Sequence, residues 1–201
     1  MSTGEGAACV DATPPDDHEL WAAAGGGDRG VSKAAFTTLY HRHAGAVWRH
    51  AYRLTGTPAA AEDVLAATFL TAWRRRAEVR FVADSARPWL LTVAGNEART
   101  EWRRSTRHER LARRVGAAPA VRDHSEAVVT RLDDRRRLRL VLDALESLST
   151  EHREVVELCM IAEVPQADAA RALGIRESTL RSRIRRARAR LRTLLAEEEL
   201  R

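Results

Sequence analysis

One helix near the C-terminus constrains this chain more than any other segment. At about 100° per residue, Leu180, Ile184, Ala187 and Leu191 fall on one narrow face. Ser178, Arg181, Ser182, Arg185, Arg186 and Arg192 fall on the opposite one, and Arg181 to Arg192 holds seven arginines and no acid. Such a segment buries one edge and turns a cationic face outward. The residues before it supply a corner. A short helix over 166–173 ends at Gly174, which suits a left-handed turn, and Ile175 tucks beneath it. A helix-turn-helix of this kind sets the start of its second helix against major-groove base edges, with later arginines on phosphates. The arginine run alone would also fit a solvated helix closing a bundle; the Gly174–Ile175 corner favours DNA.

The rest of the chain is read as helical too. Ser32 is a candidate N-cap for a helix whose stripe runs through Phe36, Leu39, Tyr40, His43, Val47, Ala51 and Leu54. Gly56 ends it. Thr57-Pro58 starts another, with proline at the first helical position, and Ala61, Leu65, Thr68, Phe69, Ala72 and Trp73 on one face. Arg74, Arg75 and Arg76 suit its negative C-terminal end. A loop over 77–87 leads to a third helix opened by Pro88. Further helices are expected over 131–147, 150–161 (capped by Ser149), 165–173 and 177–196, with a short one over 17–24 ended by Gly25-Gly26-Gly27. No segment alternates as a strand does. The fold class is all-α: an acidic leader at 1–16 read as disordered, a helical domain at 17–105, a flexible linker at 106–130 and a helix-turn-helix domain at 131–196.

Charge is spread unevenly over the 201 residues. Residues 1–30 carry six acids and one base, whereas 31–105 carry twelve bases and six acids. Of 34 basic residues only Lys33 is lysine. Part of that bias reflects a GC-rich genome, yet arginine is also the residue suited to bidentate phosphate and guanine contacts. No stretch is apolar enough to span a bilayer, and the start carries no secretory signal, so a cytoplasmic location is expected. Cys9 and Cys159 form neither a disulfide framework nor a metal site. His41 and His43 lie on different faces of one helix, which is not ligand spacing. No metal, cofactor or catalytic constellation is expected: Glu62 and Asp63 point apart and lack a nucleophile. Trp73 and Trp102 are expected in the core; Trp89 stays open between core packing and stacking on bases.

Two motif sets, in order, make the chain more specific. Leu145 and Leu148, then Arg153, Val155, Val156 and Leu158, then Ala170, Leu173, Gly174 and Ile175, then Thr179 to Arg183, Arg186 and Arg188 resemble the promoter-reading C-terminal domain of bacterial RNA polymerase sigma factors. Gly27-Asp28, Phe36, Leu39-Tyr40, Ala61 to Val64, Thr68 to Leu70, Trp73, Arg87 to Leu90 and Asn96 resemble the N-terminal domain of the same family. The small two-domain extracytoplasmic-function (ECF) group of the sigma-70 family is the match, over about 17–104 and 132–195.

That resemblance implies a promoter-specificity subunit, not an enzyme, which gives core polymerase its start sites and helps melt the duplex. It implies that the helix over 60–73 docks on the beta-prime clamp through Glu62, Asp63, Phe69, Leu70 and Trp73. The minus-10 element would be captured by Arg87, Trp89, Asn96, Arg99, Arg103 and Arg104, with a flipped base at Asn96; extruding a base costs a few kcal/mol that a shaped pocket returns. The minus-35 element would be read by Arg176, Ser178, Thr179, Arg181, Ser182, Arg185 and Arg186. Core polymerase (beta-prime clamp and beta flap), promoter DNA and an anti-sigma factor are the implied partners.

The chain departs from the family at three places. Ala66 and Ala67 stand where the family carries Gln and an acid, Pro165 replaces a Ser or Thr cap, and Asp168-Ala169-Ala170 replaces Glu-Ile-Ala. The leader has no assigned role. Two rival readings remain: a stand-alone helix-turn-helix regulator that dimerises through its first unit, and a recombinase. The second would need a nucleophile on a larger catalytic domain, whereas Tyr40 and Tyr52 both fit the core stripe.

Overall fold

The computed structural model describes residues 14–79, 85–114 and 138–199, with side chains through 107 in the second stretch and through 196 in the third. Most of the leader, loop residues 80–84, and the linker with its flanks over 115–137 lie outside the described residues. All described elements are helical.

α1 (Asp17–Ala24) opens with a reciprocal capping box. Asp16 Oδ1 accepts from Glu19 N at 2.8 Å, and Glu19 Oε2 accepts from Asp16 N at 3.1 Å. α2 (Arg29–Thr55) is capped by Asp28, whose carboxylate accepts from Val31 N at 2.9 Å. The expected cap at Ser32 is therefore corrected. Asp28 has taken that role one turn earlier, and Ser32 is buried inside α2, donating to Ala24 O. α2 ends at Gly56, whose φ of +72° is the left-handed turn that the glycine makes cheap. α3 (Pro58–Arg75) begins as read, with Thr57 Oγ1 accepting from Ala60 N at 3.3 Å. α4 (Arg87–Arg114) extends well past residue 105.

α1 to α4 pack on one another around Leu39, Val47, Ala51, Leu54, Val64, Leu90, Leu91 and Ala94. Tyr40 and Tyr52 leave the stripe assigned to them: both are exposed at its edge. Tyr40 leans edge-on against Phe69 at 4.8 Å, and Tyr52 stacks on Trp48 at 5.3 Å.

In the second unit the helical residues 138–146 (α5) precede α6 (Thr150–Val156), which widens into a π-helical turn at Glu157–Ile161. Ser149 takes the N-cap position without a side-chain cap bond; its Oγ pairs with His152 Nδ1 at 3.1 Å. Arg153 ends α5 instead. Its buried guanidinium donates to Leu145 O, Glu146 O and Leu148 O at 2.7–2.8 Å, satisfying carbonyls that a helix end leaves free. α7 (Gln166–Ala172) and α8 (Glu177–Glu199) complete the unit. Gly174 has φ of +64°, the turn residue expected there. Leu180, Ile184 and Ala187 are buried and Leu191 half-buried, as the periodicity requires. Buried Ala169 and Ala170 suit the close approach of α7 to both α8 and α4.

The two units touch. α4 packs on α7 and on the π turn, and one apolar cluster runs from Leu90 and Ala94 through Leu158, Ala169 and Leu180.

Candidate nucleic-acid and polymerase interfaces

On α8 the structure brings the expected set together. Ser178, Thr179, Arg181, Arg185 and Arg186 are exposed, Ser182 is half-buried, and Arg176 is exposed at the corner before the helix. Ser178, Thr179, Ser182 and Arg186 line one shallow groove with Glu151 and His152 of α6. Arg181 pairs with Glu177 one turn back at 3.2 Å, an exposed pair that can be exchanged for phosphate at little cost. Arg183, within the motif but outside the proposed contact set, is held by Glu151 at 2.8 Å. That pair fixes α8 against α6 and has no signal in the sequence.

The minus-10 set is not gathered in one place. Asn96, Arg103 and Arg104 are exposed on α4, with Arg104 paired to Glu101 at 3.0 Å. Arg87 stands nine residues before Asn96, half a rotation round the helix. It lines a separate polar pocket of about 250 Å³ with Arg49, His50 and Arg53 of α2. Trp89, left open by the sequence, is half-buried and meets Trp21 edge-on at 5.3 Å. Trp102 is half-buried and packs against the second unit's Leu142–Leu145 cluster. Arg99 is 14% exposed and faces Glu157 at 3.8 Å; Arg103 Nη2 meets Glu146 Oε2 at 3.2 Å. Neither acid was singled out from the sequence.

On α3, Glu62, Asp63, Ala66 and Leu70 are exposed; Glu62, Ala66 and Leu70 stand four residues apart in a row, with Leu70 48% exposed. An exposed leucine at the end of a row that begins with an acid is a surface suited to a protein partner. Phe69 and Trp73 lie behind it rather than on it. Phe69 is buried, and Trp73 is half-buried against Phe36 at 5.1 Å with the Arg76 guanidinium 3.8 Å above its ring. They shape the row from beneath.

Three buried ionisable groups organise these faces. Asp17 accepts from Arg42 Nη1 and Ser85 Oγ at 2.7 Å and Ala86 N at 2.8 Å, and meets His43 Nε2 at 2.7 Å. Burial opposes its charge, but these four partners together hold its carboxyl well below the usual range. It thereby bolts the start of α4 to α1 and α2. A signal existed: Asp17 begins the stripe Leu20, Trp21, Ala24, so an acid occupies a core register. His43 is used here, against the Asp17 carboxylate. His50 is buried without a hydrogen-bond partner; burial, assisted by Arg53, pushes it down to about 4. Glu157, on the π turn, is pushed up to about 7 by burial, against the pull of Arg99 and Arg153.

Among the described residues no group of three or more His, Cys, Asp or Glu could hold a metal ion, and no helix is long and apolar enough to cross a membrane.

Comparison with known proteins agrees with this arrangement. Residues 39–108 match the model of Sigma-70 region 2 and residues 138–191 that of Sigma-70, region 4. The chain is 37% identical over 171 residues to ECF RNA polymerase sigma factor SigL of Mycobacterium tuberculosis, covering 85% of this chain and 94% of the relative. It is 35% identical over 179 residues to RNA polymerase sigma factor CarQ of Myxococcus xanthus, covering 86% and 95%. Among solved structures, CnrH in complex with the cytosolic domain of CnrY is similar with a TM-score of 0.54 and 28% identity, over 90% of this chain and 97% of that one. With two region models matched in order and relatives covered almost end to end, the chain belongs to the extracytoplasmic-function sigma factors of the sigma-70 family.

Proposed function

We propose that this chain gives core RNA polymerase its promoter specificity through three separate faces: α3 on the polymerase, α4 on the unpaired minus-10 strand and α8 on the minus-35 duplex. The observation that carries the reading is α8. Its arginines and hydroxyls are exposed on one side while Leu180, Ile184 and Ala187 seat the other in the core. A rigid base under a cationic face is what groove recognition needs. Asn96 and the neighbouring arginines fit capture of an extruded base and its phosphates. The Glu62–Ala66–Leu70 row fits docking on the polymerase clamp, with Asp63 beside it. Alanine at 66 and 67 puts more of that contact on Leu70. The chain supplies no bond chemistry of its own; that belongs to the polymerase, and the chain acts in the cytoplasm. An anti-sigma factor is the fitting restraint, since the similar CnrH was solved with the cytosolic domain of CnrY.

Binding to core polymerase separates this reading from a stand-alone regulator. In a native-gel assay with purified core, Leu70→Asp abolishes the complex while duplex binding through α8 persists. A protein that never binds core, or a variant that binds it as well as the parent, contradicts the assignment of α3.

A further inference from the structure

Two buried histidines lie along α2, and they differ in what they meet. His43 faces the Asp17 carboxylate. His50, about two turns further on, is 2% exposed, and among the described residues neither of its ring nitrogens has a hydrogen-bond partner. A buried imidazole left in that state costs stability, so its presence there calls for a reason. The reason lies beside it. His50 lines a polar pocket of about 250 Å³ between α2, the start of α4 and the bend at Ala162 and Glu163. Helical spacing puts Arg49 and Arg53 on the same side of α2 as His50, while Ala46, one turn earlier, is too short to fill the space. Arg87, the first residue of α4, adds a third guanidinium. All three arginines are exposed at the rim, whereas His50, Leu91 and Ala162 are buried and form the floor.

The charges of this lining are unbalanced. Three guanidiniums share it with one carboxylate, that of Glu163, and among the described residues neither Arg49 nor Arg87 is paired with an acid. Arg53 Nη1 donates to Ile161 O, which fixes its guanidinium at the rim. Guanidinium forks without acids, above a buried ring nitrogen that lacks a partner, suit an anion with several acceptor oxygens; a phosphoryl group has that chemistry. We propose that this pocket binds the terminal phosphoryl groups of a small phosphorylated molecule, with Arg49, Arg53 and Arg87 on their oxygens and His50 donating from below. Burial, assisted by Arg53, keeps the imidazole neutral at ordinary pH, so it offers one N–H without adding a charge beside the arginines. The buried floor favours a small molecule over a nucleic-acid strand: a terminal group can reach His50, whereas the internal phosphates of a strand stay at the rim. The site stands without any assignment of α4 to promoter DNA.

Pyrophosphate is the probe, titrated calorimetrically into the full chain at low salt. One equivalent should bind and raise the unfolding temperature. Arg49→Glu, at an exposed position, should weaken binding about tenfold or more and leave unfolding of the free protein unchanged. His50→Phe keeps an aromatic ring and removes the unpartnered nitrogens. The free variant should melt higher than the parent, yet pyrophosphate should neither bind it nor raise its melting temperature. Should that variant fail to fold, the ring signal of His50 in NMR carries the test, shifting on titration in the parent and staying still in Arg49→Glu. Arg190→Gln removes an exposed arginine on α8 and should leave the affinity as it is. A parent that does not bind pyrophosphate, or equal binding by every variant, overturns the site. Displacement of bound pyrophosphate by a short single-stranded oligonucleotide without terminal phosphates gives the pocket to DNA and overturns the small-molecule occupant.

Discussion

The two helices proposed to meet DNA differ in what makes them. α8 carries its own instructions: its apolar edge and its cationic face lie within one helix, and the corner before it needs only Gly174 and Ile175. α4 carries a similar number of candidate contacts, but its surroundings are set from elsewhere in the chain. Asp17 fixes its start from 69 residues away through Ala86 N, and Glu146 ties down Arg103 from 43 residues away. A recognition face that is local can be read from periodicity. One that is assembled by distant acids cannot, because helical spacing records which side of a helix is apolar and not what covers it.

The largest effect that would sharpen this contrast is at Asp17. Asp17→Ala strands buried His43 and frees Ser85 and Ala86. Loss of a buried, hydrogen-bonded charge of this kind costs about 3–5 kcal/mol. Urea unfolding should show that loss in the first unit while α8 still binds duplex; an equal loss of α8 function would break the distinction. Because the Asp17 carboxyl is held below its ordinary value in the folded protein, its contribution is present above about pH 4 and lost as the medium becomes more acidic.

Arg181→Ala is the complementary test. It should weaken duplex binding by about 1–3 kcal/mol and relax one position of the minus-35 sequence, with unfolding unchanged, since the side chain is exposed. A large loss of stability would mean that this face is structural. With about six arginines on phosphates, the log–log salt slope of the parent should be near −5.

Glu157 gives a smaller and oppositely signed effect. Its folded carboxyl is raised to about 7 from 4.5, so the folded protein favours the proton, and stability falls as pH rises through that window. Arg99 of α4, Arg153 and Glu154 of α6 and Glu146 of α5 all act on it. Glu157→Gln should therefore gain stability over the parent between about pH 5 and 8, followed by thermal unfolding; a constant difference across that range contradicts the burial cost. Smallest of all, Arg104→Ala should change unfolding by less than about 0.5 kcal/mol, because its pair with Glu101 is exposed.

Much of the architecture was legible. Thr57-Pro58, Gly56 and Gly174 mark helix ends through backbone needs that few residues meet, and the buried edge of α8 follows from spacing alone. The start of α2 is ambiguous in the sequence because Ser32 and Asp28 are both good caps, and only the tertiary position of Ala24 O decides between them. Tyr40 and Tyr52 sit at the rim of a stripe, where an aromatic ring can lie on the core's edge and remain exposed. Phe69 and Trp73 share the motif of the exposed α3 row but support it from below, since motif membership does not distinguish an exposed ring from a buried one. Arg87 was grouped with Asn96 by motif order, although nine residues of helix turn it to the other side.

Promoter specificity is tested most directly by run-off transcription with purified protein, core polymerase from the same organism and a pool of genomic fragments. It predicts discrete start sites that appear only when the chain is added and that vanish with Asn96→Ala or Arg181→Ala. Absence of any start site, with duplex DNA still bound through α8, would contradict it and leave a stand-alone regulator in its place.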